Sequence, residues 1–376
     1  MSAYLDHAAT SRIRPVAADV YCRALQDLGN PSSLHTAGRQ ARERLEQARD
    51  DVAAALGARS VEVIFTSGGS EADAMVLAGL DHSGLTVTTP IEHDAVLALA
   101  RRHWGERLRL LPVGTDGVVQ AEALQEMTEP VGLVSCMWAN NETGLLQPAA
   151  ALAQAAATLP QSATGAVVHS DAVQAAGRVP IDFAASGLDA LSISGHKFGA
   201  PVGVGALVAR TDVPLRDLRP GGGQERGIRS GTLNVPGALA LAAALTEAIT
   251  QMEETTARLD NYTALLRAAI ADLPGVHLTE GEQLPGFVHA IIDGANAESL
   301  LLLADMQQVA AASSSACRAG VQELSHVMRA MGITDTPDPV APLRLSLGWS
   351  TTRAEVEYAA RVLPGIIQAA RQASRR

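Results

Sequence analysis

Residues able to do chemistry fall in short clusters, most of them directly after an apolar run. Thr66-Ser67-Gly68-Gly69-Ser70-Glu71-Ala72-Asp73 follows the run Val61–Phe65 and opens a helical pattern. Its glycines can aim backbone amides at one point, and the helix dipole adds positive potential there, which suits a phosphate. Ser70 could add a hydroxyl donor. The same segment also reads as a capped turn, with Ser70 as N-cap and Asp73 as its N3 acid. Asp171 follows Ala166-Val167-Val168-His169-Ser170. A carboxylate at a buried strand end needs a cation or donors, or it caps the segment that holds Gln174. In Ser192-Ile193-Ser194-Gly195-His196-Lys197 an apolar run leads straight into a lysine. Desolvation there disfavours the ammonium form and makes a nucleophile or base, whereas most lysines face solvent.

A phosphate cradle, an aspartate and a lysine at successive strand ends match the needs of pyridoxal 5′-phosphate (PLP). The lysine forms a Schiff base, the aspartate keeps the pyridine nitrogen protonated, and the cradle holds the phosphate. The sequence contains neither G-x-G-x-x-G after its first long strand nor G-x-x-x-x-G-K-[ST], so dinucleotide and P-loop sites lack support. Ile91-Glu92-His93-Asp94 offers an imidazole that could stack on a cofactor ring, or a helix-end surface residue. Ala139-Asn140-Asn141-Glu142-Thr143-Gly144 offers an amide donor, or only a turn. The stretch from Pro220 to Thr232 carries Arg226, Arg229, Ser230 and Thr232 among glycines, which makes it a mobile connection or an anion-binding loop. Finally, Ser313-Ser314-Ser315-Ala316-Cys317-Arg318-Ala319-Gly320 places a cysteine in an exposed, mobile small-residue loop. Arg318 there would favour the thiolate, unlike the apolar settings expected for Cys136 and Cys22.

The elements that must position these groups alternate along the chain. Val61–Phe65, Leu85–Thr88, Leu108–Leu111, Val131–Met137, Ala166–His169, Leu188–Ile193 and Val202–Val208 read as short buried strands. Helical periodicity separates most of them, as with Ala41, Leu45, Ala48, Val52 and Leu56, so a mostly parallel sheet covered on both faces is expected. The last two strands lack an intervening helix and read as an antiparallel addition. Pro236 to Asp272 reads as one long helix, with a domain boundary near residue 255. Beyond it, Val276–Leu278, Phe287–Ile292, an Ala297–Ala304 helix, Val309–Ala312, Leu343–Leu347 and a terminal helix form a smaller unit of mixed strand direction.

Composition narrows the class further. The 376 residues suffice for two domains of roughly 150 residues each. Aromatic residues are only 3%, so Ala, Val and Leu must fill the cores. A net charge of −11 offers no broad cationic face for nucleic acid, and the short basic tail at Arg371, Arg375 and Arg376 reads as a solvated helix end. No apolar run nears the ~20 residues of a membrane span, and no signal peptide is expected. Three scattered cysteines suit a reducing cytoplasm rather than a disulfide framework or zinc site.

These motifs, in this order, resemble the cysteine desulfurases, PLP enzymes that supply sulfur for iron–sulfur clusters and other thio-cofactors. The resemblance runs from Tyr4-Leu5-Asp6-His7-Ala8-Ala9-Thr10 through Gly29-Asn30-Pro31-Ser32-Ser33 to Leu343-Arg344-Leu345-Ser346-Leu347-Gly348. Its most specific part combines Ser194-Gly195-His196-Lys197, Arg229-Ser230-Gly231-Thr232 and the cysteine loop. It implies an α/β fold of PLP fold type I. Residues 15–255 would form a large domain with a mostly parallel seven-stranded sheet, and 1–14 with 256–376 a small α+β domain carrying the cysteine loop.

The resemblance further implies Lys197 as the Schiff-base lysine, Asp171 on the pyridinium nitrogen and Gln174 on the ring's phenolic oxygen. His93 would stack on the ring and shuttle protons. Gly69, Ser70, Ser194 and His196 would hold the phosphate, with Thr232 reaching it from the other subunit of a homodimer. Asn141 and Arg344 would take the substrate carboxylate, and Cys317 would accept sulfur from L-cysteine as a persulfide, releasing L-alanine. A sulfur-acceptor or cluster-scaffold protein is an expected partner. Alternatives are a selenocysteine lyase or related β-eliminating PLP enzyme, an aminotransferase, and a catalytically silent scaffold. Ala74 replaces an asparagine often found in the family, Arg318-Ala319-Gly320 replaces small hydroxyl residues, and the chain stops at Arg376 where some relatives carry a longer tail.

Overall fold

A computed structural model describes residues 2–159, 165–313, 316–318, 321–333 and 339–374, with the backbone alone for 316–318 and 321–323. The chain opens with a short strand, β1 (Ala3–Tyr4). Seven strands follow: β2 (Val63–Thr66), β3 (Leu85–Thr88), β4 (Leu108–Leu110), β5 (Val131–Ser135), β6 (Val167–Asp171), β7 (Ala190–Ser194) and β8 (Gly205–Ala209). Among the described residues they form one sheet in the order β2-β8-β7-β6-β5-β3-β4. Every neighbour pair from β7 to β4 is parallel, and only β8 runs against the rest. The antiparallel addition is therefore present, but β8 is inserted between β7 and β2 rather than placed at an edge.

Strands β5 to β8 are buried along their whole length, as strands covered on both faces must be. Alternate residues feed two apolar clusters. Val63, Phe65, Val131 and Val134 face one side, while Ile64, Leu133, Val167 and Leu207 face the other. Because β8 alone is reversed, the carboxyl ends of the other strands all meet one edge, where ligands of open α/β sheets bind.

The expected single helix over Pro236–Asp272 is two helices, Val235–Thr250 and Met252–Ile270, bent by 68°. Apolar periodicity continues through the break, but the packing partner changes. The first helix lies on Pro15–Ala24 and Thr36–Leu56, the second on the terminal helix Arg353–Ser374. Arg14 Nη1 holds the break from outside, donating to Glu247 Oε2 at 2.9 Å and Gln251 Oε1 at 3.0 Å.

The remaining strands are β9 (Val276–Leu278), β10 (Phe287–Asp293), β11 (Val309–Ala310), β12 (Ala316–Arg318), β13 (Val321–Glu323) and β14 (Val340–Ser346). An antiparallel sheet orders β14-β10-β9, and β1 pairs in parallel with β11. Leu5, Leu259, Leu266, Val288, Leu300, Leu343 and Ile367 form a separate apolar cluster there. Cys317 lies on β12, whose backbone pairs with β13 as a hairpin, so the expected irregular loop is corrected to strand at that position. Ser314, Ser315, Ala319 and Gly320 lie outside the described residues. Cys22 is exposed rather than apolar in setting: on its helix Ala17 and Ala24 face inward, and Cys22 falls on the outer side. The basic tail is also partly engaged, because Arg371 donates to the carbonyls of Asp293 and Gly275.

Candidate active site

At the carboxyl edge of the sheet a cavity of about 260 Å³ is lined by Gly69, Ser70, Asp73, His93, Met137, Ala139, Asn141, Asp171, Val173, Gln174, Ser194, His196 and Lys197. Nine of the expected site residues thus meet in one place. Each arrives where a strand ends: Gly69 and Ser70 after β2, His93 after β3, Asn141 after β5, Asp171 and Gln174 at β6, and Ser194 to Lys197 at β7.

The capped-turn reading of the first cluster does not hold. The helix spans Gly69–Leu77 with Gly68 as N-cap and no side-chain cap. Ser70 lies inside its first turn, and Asp73 is buried at 1% exposure. The uncapped amides therefore face the cavity mouth as an anion cradle. Gly68 sits at φ 149°, a backbone conformation that side chains disfavour, and a Cβ on Gly69 would come within 2.5 Å of Val173 Cγ2, so each position calls for glycine for its own reason. The acid of the first turn is Glu71, which accepts from Ser67 N and is clasped by Arg219 at 2.6 Å and Arg229 at 3.1 Å. Burial pushes Glu71 up, yet the Arg229 hydrogen bond and the Ser67 amide outweigh it and bring it down to about 2. Of the two arginines of the glycine-rich loop, Arg229 thus binds an anion, but that anion is a side chain of the cradle helix, and its companion there is Arg219, just before the loop, rather than Arg226. Thr232 is exposed on that loop and does not line the cavity of its own chain.

Lys197 ends a short 3₁₀ turn, Gly195–Lys197, directly after β7. Its Nζ donates to Ala8 O at 2.6 Å and Ala9 O at 3.0 Å. Burial lowers its ammonium to about 8; Arg344 and Arg178 act in the same direction, and Asp171 and Asp6 oppose them. That places a usable fraction of free amine near neutrality. Asp171 is buried and accepts from Val173 N at 2.8 Å, a local turn rather than a helix cap. Burial raises its carboxyl, while the Val173 amide and the Lys197 ammonium act to hold it down.

His93 is the N-cap of helix Asp94–Trp104, where its Nδ1 accepts from Ala95 N at 3.1 Å. A backbone amide can only donate, so Nδ1 carries no proton and Nε2 does. His196 meets Thr10 Oγ1 at 3.2 Å, and burial lowers it to about 4, which makes it neutral. Gln174 Nε2 donates to Ala8 O at 3.0 Å, while its Oε1 is buried without a partner. Asn140 is internal to its turn and accepts from the amides of Glu142 and Thr143; Asn141 reaches the cavity. Arg344 stands outside the cavity lining. Its Nη1 donates to Asn141 O at 2.7 Å, and its Nη2 pairs with Asp6 Oδ1 at 2.7 Å. The strand bridge Ala312↔Arg344 joins it to the segment that enters the Cys317 hairpin.

The structure adds groups that residue types did not announce. The Ala8 and Ala9 carbonyls bear on Lys197 through backbone alone, which leaves no mark in sequence. Asp73 had a marker, an acid on the apolar side of a helix between Ala72 and Met75. Burial and the charge of Asp171 raise its carboxyl well above the carboxylate range. His169, 3.7 Å from Asp73 Oδ1, is pulled down by burial to about 3 and is neutral, so the two form no ion pair.

The donor set fits PLP. An amide cradle, a buried carboxylate, the Gln174 side-chain amide and a lysine whose ammonium is lowered line one cavity, the groups such a ring needs. These features define a PLP enzyme of fold type I. The aminotransferase class-V family model matches residues 3–359. The chain is 43% identical to an IscS-like cysteine desulfurase of Mycobacterium tuberculosis, covering 99% of this chain and 98% of that one. It is 39% identical to a cysteine desulfurase of Cereibacter sphaeroides, over 99% and 97% of the two chains. A solved NifS-like protein superposes with a TM-score of 0.88 at 31% identity, covering 98% of this chain and 100% of that chain. The chain belongs to the PLP-dependent cysteine desulfurases of the class-V aminotransferase family.

Proposed function

We propose that the chain desulfurates L-cysteine by passing its sulfur to Cys317, with Lys197 and Asp171 as the two groups that make the cofactor reactive. The observation that carries this reading is that Lys197 and Asp171 line one cavity, with the cradle of Gly69 and Ser70 in the same wall. PLP, when bound, supplies an electron sink for carbanion chemistry at the substrate. Asp171 would hold the proton on the ring nitrogen by its charge. The Gly69 and Ser70 amides, Ser194 and His196 would hold the phosphate, and Gln174 the ring oxygen. His93 would lie against the ring with its Nε2 proton available. Lys197 would carry the cofactor at rest, and its amine, once freed, would accept the α-proton of the substrate. Asn141 and Arg344 would orient the substrate carboxylate.

Sulfur transfer then needs only Cys317. Its thiolate forms an S–S bond to the substrate sulfur while the Cβ–S bond breaks. The electron pair returns to the carbon skeleton, which takes up protons and leaves as L-alanine. The sum is L-cysteine plus the Cys317 thiol giving L-alanine plus the Cys317 persulfide, with no external oxidant. A sulfur-acceptor protein then removes the outer sulfur. We place the enzyme in the cytoplasm as a homodimer, where Thr232 of each chain would meet the other's phosphate. The exposed placement of Thr232 and the scattered thiols support this; among the described residues no single helix is long and apolar enough to cross a membrane. We also assign the Leu5, Leu259 and Ile367 cluster to a separate small domain.

The test is alanine formation from L-cysteine with persulfide mapping by mass spectrometry. Sulfane sulfur is expected on Cys317, and Cys317→Ala is expected to stop turnover. Undiminished alanine production by Cys317→Ala would refute the sulfur route and leave a β-eliminating or selenocysteine-directed enzyme.

A further inference from the structure

Arg344 is held in an unusual way for a residue that must receive a carboxylate. Its side chain is 11% exposed, and its two terminal nitrogens are already engaged by Asn141 O and Asp6 Oδ1. Its Nε is buried without any partner. A guanidinium offers its Nε–Nη2 edge as a two-donor fork for a planar carboxylate. Asp6 takes only one donor of that edge and leaves the other unsatisfied.

Asp6 itself is 23% exposed and sits in the turn between β1 and the Ala8 and Ala9 carbonyls that hold Lys197. It joins this site through a bridge to Ser346 and through Ala9 N donating to its carbonyl at 3.1 Å. Exchanging Asp6 for a substrate carboxylate keeps the largely buried guanidinium paired, so the swap avoids the cost of leaving that charge alone. A substrate carboxylate that took both Nε and Nη2 would satisfy the buried donor that Asp6 leaves open.

Resting on the reading of Arg344 as the substrate-carboxylate contact, we propose that Asp6 is an internal stand-in for that carboxylate, which the substrate must displace. Asp6 thereby keeps Arg344 neutralised and oriented beside Lys197 in the resting enzyme, and it sets substrate affinity by competition. The apparent affinity equals the intrinsic one multiplied by the fraction of molecules whose arginine is free. Removing the Asp6 charge while keeping an acceptor of the same shape removes the competitor but not the orientation.

The test uses the PLP-loaded enzyme and its Asp6→Asn variant, titrated with L-alanine and followed by the change in the cofactor's visible absorption. L-alanine carries the carboxylate without undergoing turnover, and ethylamine is the matched amine without it. Asp6→Asn is expected to bind L-alanine about three- to tenfold more tightly and ethylamine unchanged. With L-cysteine, KM is expected to fall by a similar factor while kcat changes little. Weaker or unchanged L-alanine binding would overturn the proposal and make Asp6 an orienting residue only. Arg344→Gln separates the two levels. If it leaves L-alanine binding intact, Arg344 is not the carboxylate contact and the underlying reading fails; if it weakens L-alanine alone, that reading stands whatever Asp6→Asn does.

Discussion

The free amine of Lys197 offers a direct test of the site's electrostatics. With its ammonium lowered from 10.5 to about 8, about one molecule in ten carries the neutral amine at pH 7, against about one in three thousand for an ordinary lysine. Desolvation is the main cause, and the Arg344 cation is the next. Cofactor-free enzyme mixed rapidly with PLP captures it through this amine, so the capture rate follows the neutral fraction. Dividing by the rate constant of a free alkylamine at each pH, expressed per molecule of its neutral form, removes the cofactor's own ionisations and leaves the dependence on the Lys197 amine. The corrected rate is expected to fall about tenfold per pH unit below a midpoint near 8 and to level above 9. Arg344→Gln removes a cation and releases the Asp6 carboxylate, both of which favour the ammonium form. Its midpoint should move upward by about one unit. A wild-type midpoint near 10.5, or one that Arg344→Gln leaves in place, would mean that the amine stands in water away from these charges, and the reasoning would fail.

Three further expectations concern the surrounding frame. The raised carboxyl of Asp73 binds a proton in the folded protein at pH values where the unfolded chain has released it, so it lowers stability as pH rises above the ordinary range of an aspartate. Asp73→Asn should stabilise the cofactor-free protein at pH 8 by on the order of 1 kcal/mol and much less at pH 4, as read by urea unfolding at the two pH values. Glu225 is buried, accepts from both Arg49 terminal nitrogens and from Phe65 N, and ties the glycine-rich loop to β2. Arg49→Ala leaves that carboxylate without its cation and should cost about 3–5 kcal/mol in denaturant unfolding. Ser325 caps helix His326–Ala330 and donates to Glu142 Oε2 at 2.6 Å, which anchors the segment after β13 on the turn that follows β5. Ser325→Ala should cost about 1 kcal/mol of stability and slow persulfide formation relative to α-proton exchange, measured by mass spectrometry and deuterium incorporation.

What could be read in advance divides along physical lines. Strands such as Leu85–Thr88 and Val276–Leu278 match their expected spans because a short apolar run between turn residues is a local signal. The placement of Lys197, Asp171 and Gly69 was legible for the same reason, since each directly follows such a run. The break at Gln251 was not, because periodicity reports which side of a helix is apolar and says nothing of a change in what covers it. Cys22 shows a signal overlooked: the spacing of Ala17, Tyr21 and Ala24 already defines the inner face, and residue 22 lies off it. Ser70 read equally as a cap or as a phosphate donor because capping chemistry and anion-binding chemistry use the same residue types, and only the backbone at Gly68 separates the two.

The groups hardest to foresee all lie on the segment from Asp6 to Ser11. Asp6 pairs with Arg344, Ala8 and Ala9 receive the Lys197 amine, Thr10 meets His196, and Ser11 Oγ donates to Lys197 O at 2.9 Å. One end of this segment bridges β14, with Asp6 paired to Ser346 and Ala8 N donating to Ser346 Oγ at 2.8 Å. The other end returns to the large sheet's helices through Arg14 and Glu247. It therefore couples the placement of the reactive amine to that of the arginine some 150 residues further along the chain. Motion of the small antiparallel sheet relative to the cavity would move the acceptors of Lys197 and the partner of Arg344 together. A substrate carboxylate that displaces Asp6 would release one end of this segment, while the Lys197 amine freed by the substrate's own amine would regain the Ala8 and Ala9 carbonyls and hold the other.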